Sequence, residues 1–137
     1  MTARGIGRVA LGALLAFAGT SHLTFAREEF RTQVPSWVPI DVDDVVLLSG
    51  AAEIALGAGL IALPGERRRM GALAGAFFTA VFPGNIAQWR EHRDGFGLDT
   101  DRKRAVRLLF QPVLVAWALW AGEVWPTRRW PDRVRRE

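Results

Sequence analysis

Long apolar segments, separated by short polar ones, make up most of the chain. Four of them, with 18, 19, 20 and 21 residues, lie at 6–23, 45–63, 70–89 and 105–125. Each approaches the roughly 20 residues that an α-helix needs to cross a bilayer. A helix of a soluble bundle carries polar residues along one face, whereas residues 11–17 and 71–78 carry none. The pattern therefore predicts an all-α fold, an integral membrane four-helix bundle that occupies residues 1–137 as a single domain.

The stretch between the first two apolar segments mixes aromatic, aliphatic and charged residues. Pro35 and Pro39 bracket Trp37, and prolines at this spacing prevent a continuous helix. We therefore expect a short amphipathic segment at the membrane interface between the first and second helices. The other polar stretches are a tight basic turn, a charged loop and a basic tail, at residues 64–69, 90–104 and 126–137.

The first 23 residues allow two interpretations. Arg4 and Arg8 precede an apolar core, and Ala-Phe-Ala at residues 16–18 resembles a signal-peptide cleavage site. The alternative is a retained first helix. We favour the retained helix because three further apolar segments follow and need a partner. Small residues recur at every fourth position from Gly12 to Thr20, which lets another helix approach closely.

The distribution of basic residues predicts the orientation in the membrane. With the N-terminus inside, ten of the 18 basic residues fall on the inner side and eight on the outer side. This difference is small, but the short turn at residues 67–69 is three consecutive arginines, and short basic loops stay in the cytoplasm. We therefore expect both termini on the cytoplasmic side.

Composition excludes several kinds of chemistry. The chain has no cysteine, which excludes thiol–disulfide relays, cysteine-ligated iron–sulfur clusters and covalent haem attachment as activities of this chain alone. It has two histidines without metal-ligand spacing, so we expect no metal site and no covalently bound cofactor. The net charge of +4 comes from arginines that flank apolar segments. Orientation explains these arginines, so no nucleic acid partner is expected.

Each apolar segment contains one conspicuous polar residue. In the predicted orientation His22 ends the first segment on the outer side, while Glu53, Asn85 and Gln111 lie ~12, ~6 and ~9 Å in from the outer ends of theirs, at 1.5 Å per residue. A lone carboxylate at membrane depth costs about 2.5 kcal/mol or more, so Glu53 needs a polar partner or a proton. The depths predict one polar layer in the outer half of the bundle.

This layer suits proton exchange with a lipid-soluble redox carrier. Glu53 and His22 are the candidate catalytic residues, since intramembrane acids mark proton or ligand paths. Asn85 and Gln111 are candidate cofactor-binding residues that would donate hydrogen bonds to oxygens of the carrier. Ser49 lies four residues before Glu53, on the same helical face, and joins this set.

Structural roles remain open for each of these residues. Glu53 could form a structural pair with Arg107 or His22, and His22 could cap its helix at the interface. Asn85 and Gln111 could hold helices together, at about 0.6 kcal/mol each.

Several short motifs carry a resemblance to a known family. They are Gly-Thr-Ser-His-Leu at 19–23, Val-Pro-Ser-Trp-Val-Pro at 34–39, Leu-Ser-Gly-Ala-Ala-Glu-Ile-Ala-Leu-Gly at 48–57, Ala-Val-Phe-Pro-Gly-Asn-Ile at 80–86 and Phe-Gln-Pro-Val-Leu-Val-Ala-Trp at 110–117. In this order they resemble the DoxX-like membrane proteins over residues 6–120. The chain departs from the family at Leu23, where phenylalanine is more usual, and in the loop at 90–104.

The resemblance implies a four-helix bundle in the bacterial cytoplasmic membrane. Some relatives in that family are linked to quinone-dependent oxidation of sulfur compounds or to membrane oxidoreductase assemblies. The expected function is a membrane subunit of an oxidoreductase system that contacts quinone at the polar pocket around Glu53. The lipid bilayer, a redox partner protein and a second copy of the chain are the candidate partners.

Two other functions remain as alternatives, and the sequence leaves open whether the chain is itself an enzyme. One is a non-catalytic membrane anchor or assembly protein with a purely structural polar layer. The other, a small transporter or proton conduit, is less favoured because four short helices enclose little space.

Overall fold

The four predicted apolar segments correspond to four long helices. A computed structural model describes residues 1–95, 97–98 and 100–125. Its elements are α1 (Ala3–Leu23), α2 (Arg27–Arg31), α3 (Val42–Ala62), a 3-10 turn (Pro64–Glu66), α4 (Arg67–Arg90) and α5 (Asp101–Ala121). No strand occurs among these described residues. The predicted all-α fold is confirmed, whereas the predicted basic tail at 126–137 lies outside the described residues.

The four long helices are the candidate membrane spans within the described residues. By length and composition, α1, α3, α4 with the turn before it, and α5 could each cross a membrane. Many of their large apolar side chains are exposed at the surface of the bundle, which is compatible with contact with lipid. Examples from the four helices are Leu14, Phe17, Leu48, Leu73, Leu109 and Val113.

The four long helices begin three or four residues earlier than the apolar pattern predicts, and polar side chains cap the starts of α1, α3 and α5. The side chain of Thr2 accepts a hydrogen bond from the backbone of α1, that of Asp41 from α3 and that of Thr100 from α5. The fourth apolar segment was predicted to be helical to residue 125, but α5 ends at Ala121. The chain turns there, and Glu123 adopts a left-handed conformation with φ of 58°.

The bundle consists of two tightly packed helix pairs. Helix α1 packs along α3 and α4 along α5, and contacts between the pairs are far fewer. A Cβ atom placed on Gly57 would lie 2.5 Å from the carbonyl oxygen of Gly12, and one on Gly71 would lie 2.7 Å from the Cα of Gly122. Within each pair the backbones therefore touch, as small residues permit in membrane helices.

The two pairs are joined at the end of the bundle that carries the 3-10 turn, which we call the turn end. The indole nitrogen of Trp117 in α5 donates to the carbonyl of Gly7 in α1, at 3.0 Å. Met70 at the start of α4 packs against Gly59 near the end of α3. Within the first pair, the buried side chain of Arg8 donates to the carbonyl of Leu60. Apolar side chains fill the space above: Leu11, Leu15, Leu60, Ala74, Phe78 and Ala118.

Residues 24–41 cross the opposite end of the bundle, and we call them the lid segment and this end the lid end. Arg27 forms an ion pair with Asp43 at the start of α3. On the other side, Arg93 donates to the carbonyl of Val34 at 2.5 Å. The lid segment is thus attached to both helix pairs, beyond the contacts expected for an amphipathic segment at the interface.

The stretch predicted to be a charged loop at residues 90–104 is shorter and more ordered than expected. Helix α4 extends to Arg90 and α5 already begins at Asp101. Arg104 is 6% exposed and holds the turn between them, donating to Asp94 at 2.8 Å and to the carbonyl of Leu98 at 2.7 Å.

Candidate functional site

The polar residues predicted to share a layer line one cavity. It has a volume of about 390 Å³, and all four long helices and the lid segment contribute to its walls. His22, Glu53, Asn85 and Gln111 are among the lining residues. Ser49 is not one of them. Pockets that hold small molecules have volumes of about 300–1,000 Å³, so this polar cavity is large enough for a ligand.

Each helix presents its polar residue in a different way. His22 lies in the last turn of α1, and Glu53 in the middle of α3. Asn85 lies two residues after Pro83 in α4, and Gln111 lies directly before Pro112 in α5. A proline inside a helix removes one backbone hydrogen bond and bends the helix. All four side chains are at least nine-tenths buried.

Glu53 is paired with His22. The Nε2 atom of His22 and the Oε2 atom of Glu53 lie 3.1 Å apart, within ion-pair distance, although their alignment falls short of a hydrogen bond. Of the two partners considered for Glu53, the structure thus selects His22. Arg107 donates instead to Gln111, with 3.3 Å between its Nη1 and the amide oxygen.

The other side of the imidazole ring determines which nitrogen carries a proton. The Nδ1 atom of His22 lies 3.0 Å from the hydroxyl of Ser49 and 3.3 Å from the carbonyl of Val46. The hydroxyl of Ser49 also donates to that carbonyl, at 3.0 Å. A carbonyl oxygen can only accept, so Nδ1 carries the proton and donates it to Ser49. Ser49 therefore positions His22 rather than lining the cavity.

A proton must then lie between His22 and Glu53. With Nδ1 protonated, the neutral ring presents Nε2 as an acceptor. A carboxylate is also an acceptor, and two acceptors 3.1 Å apart would repel one another. Either Nε2 or the carboxyl group of Glu53 therefore holds one additional proton. The pair can give that proton to a ligand or receive one from it.

Gln111 fixes the orientation of Asn85. The Nε2 atom of Gln111 donates to the carbonyl of Phe78 at 2.6 Å, and its Oε1 accepts from Arg107. The Nδ2 atom of Asn85 donates to the same Oε1 at 3.3 Å. A guanidinium can only donate and a carbonyl can only accept, so neither amide can be reversed. Each amide nitrogen donates one hydrogen to a protein atom and has a second, so the predicted donation to a ligand from Asn85 and Gln111 stays a prediction.

Three buried polar atoms around the cavity have no hydrogen-bond partner in the described part of the chain. They are Nε2 of His22, Oε2 of Glu53 and Oδ1 of Asn85; the first two face each other as an ion pair at 3.1 Å, whereas Oδ1 of Asn85 has neither kind of partner among the described residues. Leaving a buried polar atom unpaired costs about 1–3 kcal/mol, and few such atoms occur in folded proteins. Their grouping at one cavity marks it as the candidate functional site.

The remaining walls of the cavity are mostly apolar. Leu14, Ala80 and Pro83 line it and are also exposed on the outside of the bundle. These residues lie at the level of the long helices, and an opening beside them would make the cavity reachable from the side. A molecule dissolved in the membrane could enter there without passing through water.

The lid segment supplies a wall that the sequence analysis did not predict. The ring of Phe30 packs on His22, and Gln33, Val34 and Val38 also line the cavity. Gly84 allows this contact, because a Cβ atom there would overlap the carbonyl oxygen of Gln33. Phe30, Val34 and Val38 recur at every fourth position, and this spacing could have indicated a face packed on the bundle.

No group of three or more metal-ligating side chains occurs among the residues that the structure describes. The structure therefore gives no candidate metal centre there.

Comparison with known proteins assigns the chain to a family without a known function. A family model described as Domain of unknown function (DUF8561) matches residues 11–122. No curated protein and no solved structure matches the chain. The resemblance to DoxX-like proteins is therefore wrong. Its motifs combine small residues with prolines inside apolar segments, a pattern that close packing and bending of membrane helices produce in unrelated bundles.

Proposed function

This chain belongs to the family described as a domain of unknown function (DUF8561), and we propose that it is a membrane subunit of an oxidoreductase system that binds a quinone in the polar cavity. The observation that carries the proposal is the buried His22–Glu53 pair together with the unpaired Oδ1 of Asn85, within mostly apolar walls. A quinone has the matching chemistry, because its ring and tail are apolar and its two oxygens form hydrogen bonds.

An opening at the side of the cavity would favour a ligand that is dissolved in the membrane. Leu14, which lines the cavity, is 44% exposed in the middle of α1. If α1 crosses the bilayer, this part of its surface faces lipid. Quinones move within the bilayer and would reach the cavity by this route.

The proton held by His22 and Glu53 supports a redox ligand. Reduction of a quinone to a quinol takes two electrons and two protons, and oxidation releases them. The pair could pass one proton at a time to or from a quinone oxygen, while a redox partner protein would exchange the electrons. Ser49 keeps the imidazole in the tautomer that this exchange needs.

Binding of a quinone to the purified protein tests the proposal. In nanodiscs made from quinone-free lipid, we expect saturable binding of decylubiquinone. Glu53→Gln keeps the size of the side chain but removes its acidic group, and should weaken binding at least tenfold. Glu28→Gln, at an exposed position of the lid segment, is the matched control and should bind as the wild type does. Absence of saturable binding, or equal binding by Glu53→Gln, would contradict the proposal.

We also propose that both termini face the cytoplasm of a bacterial cell and that the lid end faces outward. The three arginines at 67–69, at the turn end, support this orientation. Because the chain has no cysteine, single cysteines can report it. A membrane-impermeant maleimide should label Glu28→Cys in intact cells and Gly65→Cys only after permeabilisation. The opposite labelling pattern would invert the proposed topology.

The alternative function is a non-catalytic membrane anchor or assembly protein. It is favoured by buried polar side chains whose hydrogen bonds are all made to other parts of the protein. Gln88, for example, is 1% exposed and joins Gln33 of the lid segment to the turn after α4. Native mass spectrometry of the protein extracted with its lipids separates the two functions. Bound quinone supports the redox function, whereas partner chains or a second copy without quinone support the alternative.

A further inference from the structure

The hydrogen-bonding groups at the cavity differ in what they can recognise. The oxygen of a quinone is a carbonyl, which can only accept a hydrogen bond. The oxygen of a quinol is a hydroxyl, which can donate one and accept others. A protein donor therefore binds either form, whereas a protein acceptor binds only the quinol. Discrimination between the two forms depends on the unpaired acceptors at the cavity.

Asn85 supplies such an acceptor. Its Nδ2 atom is held by Gln111, whose own orientation is fixed by Phe78 and Arg107. Its Oδ1 atom is left buried and without a partner among the described residues. The side chain cannot turn to offer its nitrogen without breaking the bond to Gln111. Against a carbonyl of the ligand, this oxygen would face a second acceptor.

The other polar groups at the cavity do not reverse this preference. The His22–Glu53 pair holds one proton and can face either a carbonyl or a hydroxyl oxygen. Arg107 also lines the cavity, and it is a donor, as are the second amide hydrogens of Asn85 and Gln111; donors bind either form of the ligand. The side chain of Gln33, which lines the cavity too, donates to Gln88.

From this inventory we propose that the polar cavity binds the reduced, hydroxyl-bearing form of its ligand more tightly than the oxidised form, with Oδ1 of Asn85 accepting a hydrogen bond from a quinol hydroxyl. The inference rests on the proposed function, because it needs a quinone as the ligand. We expect quinol to bind about tenfold more tightly than quinone. Tighter binding of the reduced form raises the midpoint potential of the bound two-electron couple, by about 30 mV for each tenfold difference in affinity.

The test compares decylubiquinone with decylubiquinol under anaerobic conditions, in quinone-free nanodiscs. The ratio of the two dissociation constants is the readout, since a general loss of folding would change both constants together. Wild-type protein should favour the quinol about tenfold. Asn85→Leu, which removes the acceptor, should bring the ratio close to one.

Two further variants separate recognition from folding. Asn85→Asp keeps an acceptor oxygen and should retain the preference for quinol, even if the contact with Gln111 is weakened. Gln111→Leu leaves Asn85 in place but frees its amide to rotate, so the preference should fall. If only Asn85→Asp yields folded protein, loss of its preference for quinol would itself overturn the inference.

The outcomes distinguish the inference from the proposed function. If neither form of decylubiquinone binds, the proposed function fails and the inference fails with it. If both forms bind with equal affinity, or the quinone binds more tightly, the proposed function stands and the inference is wrong. A preference for quinol that persists in Asn85→Leu would likewise overturn the assignment to Asn85.

Discussion

Replacing His22 by leucine is expected to lower the free energy of unfolding by about 1–3 kcal/mol, because it leaves the carboxyl group of Glu53 buried without its partner. Glu53 is 8% exposed, and His22 is its one ion-pair partner among the described residues. Reversible unfolding in detergent micelles, followed by circular dichroism, measures the change.

The second histidine provides the control. His92 is also paired with an acid, Asp101, at 2.6 Å, but both side chains are exposed. His92 has a left-handed backbone with φ of 53°, which asparagine tolerates, so His92→Asn is the suitable substitution. An exposed ion pair contributes at most about 1 kcal/mol, so this variant should lose less than that. If His22→Leu lost no more than His92→Asn, the burial of Glu53 would not depend on His22.

Removing both members of the pair should restore much of the stability. Replacing both His22 and Glu53 by leucine leaves no buried acid without a partner, and the two leucines fill a largely apolar region. Such double replacements of buried pairs are often neutral or stabilising, so we expect a stability within about 1 kcal/mol of the wild type. The double variant should nevertheless fail to bind decylubiquinone. A stable protein without binding would show that the pair serves the ligand rather than the fold.

Much of the fold follows from the sequence, because membrane helices need long apolar segments and the chain has four. Their starts were missed by three or four residues, since capping by Thr2, Asp41 and Thr100 depends on single polar residues outside the apolar pattern. Small residues at every fourth position, including Gly12, indicated that another helix packs closely on α1, but not that this helix is α3. The path of the lid segment was not predicted, because the spacing of Phe30, Val34 and Val38 indicates a buried face but not the surface that it packs on.

The candidate site could be predicted in part for a similar reason. Glu53 and Asn85 are conspicuous because polar residues are rare in apolar segments. The similar predicted depths of the polar residues indicate that they lie in one layer, but not that Glu53 meets His22 and Asn85 meets Gln111. The direction of a hydrogen bond cannot be read in this way. The orientation of Asn85 depends on Gln111 and Arg107, which lie on another helix. The role of Ser49, which binds the far side of His22, likewise depends on the distance between two helices.

The contact between α1 and α3 should also be sensitive to side-chain volume. A Cβ atom on Gly57 would lie 2.5 Å from the carbonyl oxygen of Gly12 and 2.8 Å from the backbone nitrogen of Ala16. Neither backbone atom can move aside as the end of a side chain can. Gly57→Leu should therefore separate the two helices and lower the free energy of unfolding by about 3 kcal/mol, the upper end of usual overpacking costs.

Gly65 in the 3-10 turn is the matched control, since a Cβ atom there would meet no atom within 4 Å. Gly65→Leu should change the free energy of unfolding by less than about 0.5 kcal/mol.

The contact between α1 and α3 also sets the position of His22, whose Cβ atom would lie 2.7 Å from a Cβ placed on Gly50 of α3. Separation of α1 from α3 should therefore move His22 away from Glu53, and Gly57→Leu should weaken decylubiquinone binding as well as stability. A Gly57→Leu protein that is as stable as Gly65→Leu would contradict the close backbone contact. A Gly57→Leu protein that is destabilised but binds decylubiquinone normally would show that the position of His22 does not depend on the contact between α1 and α3.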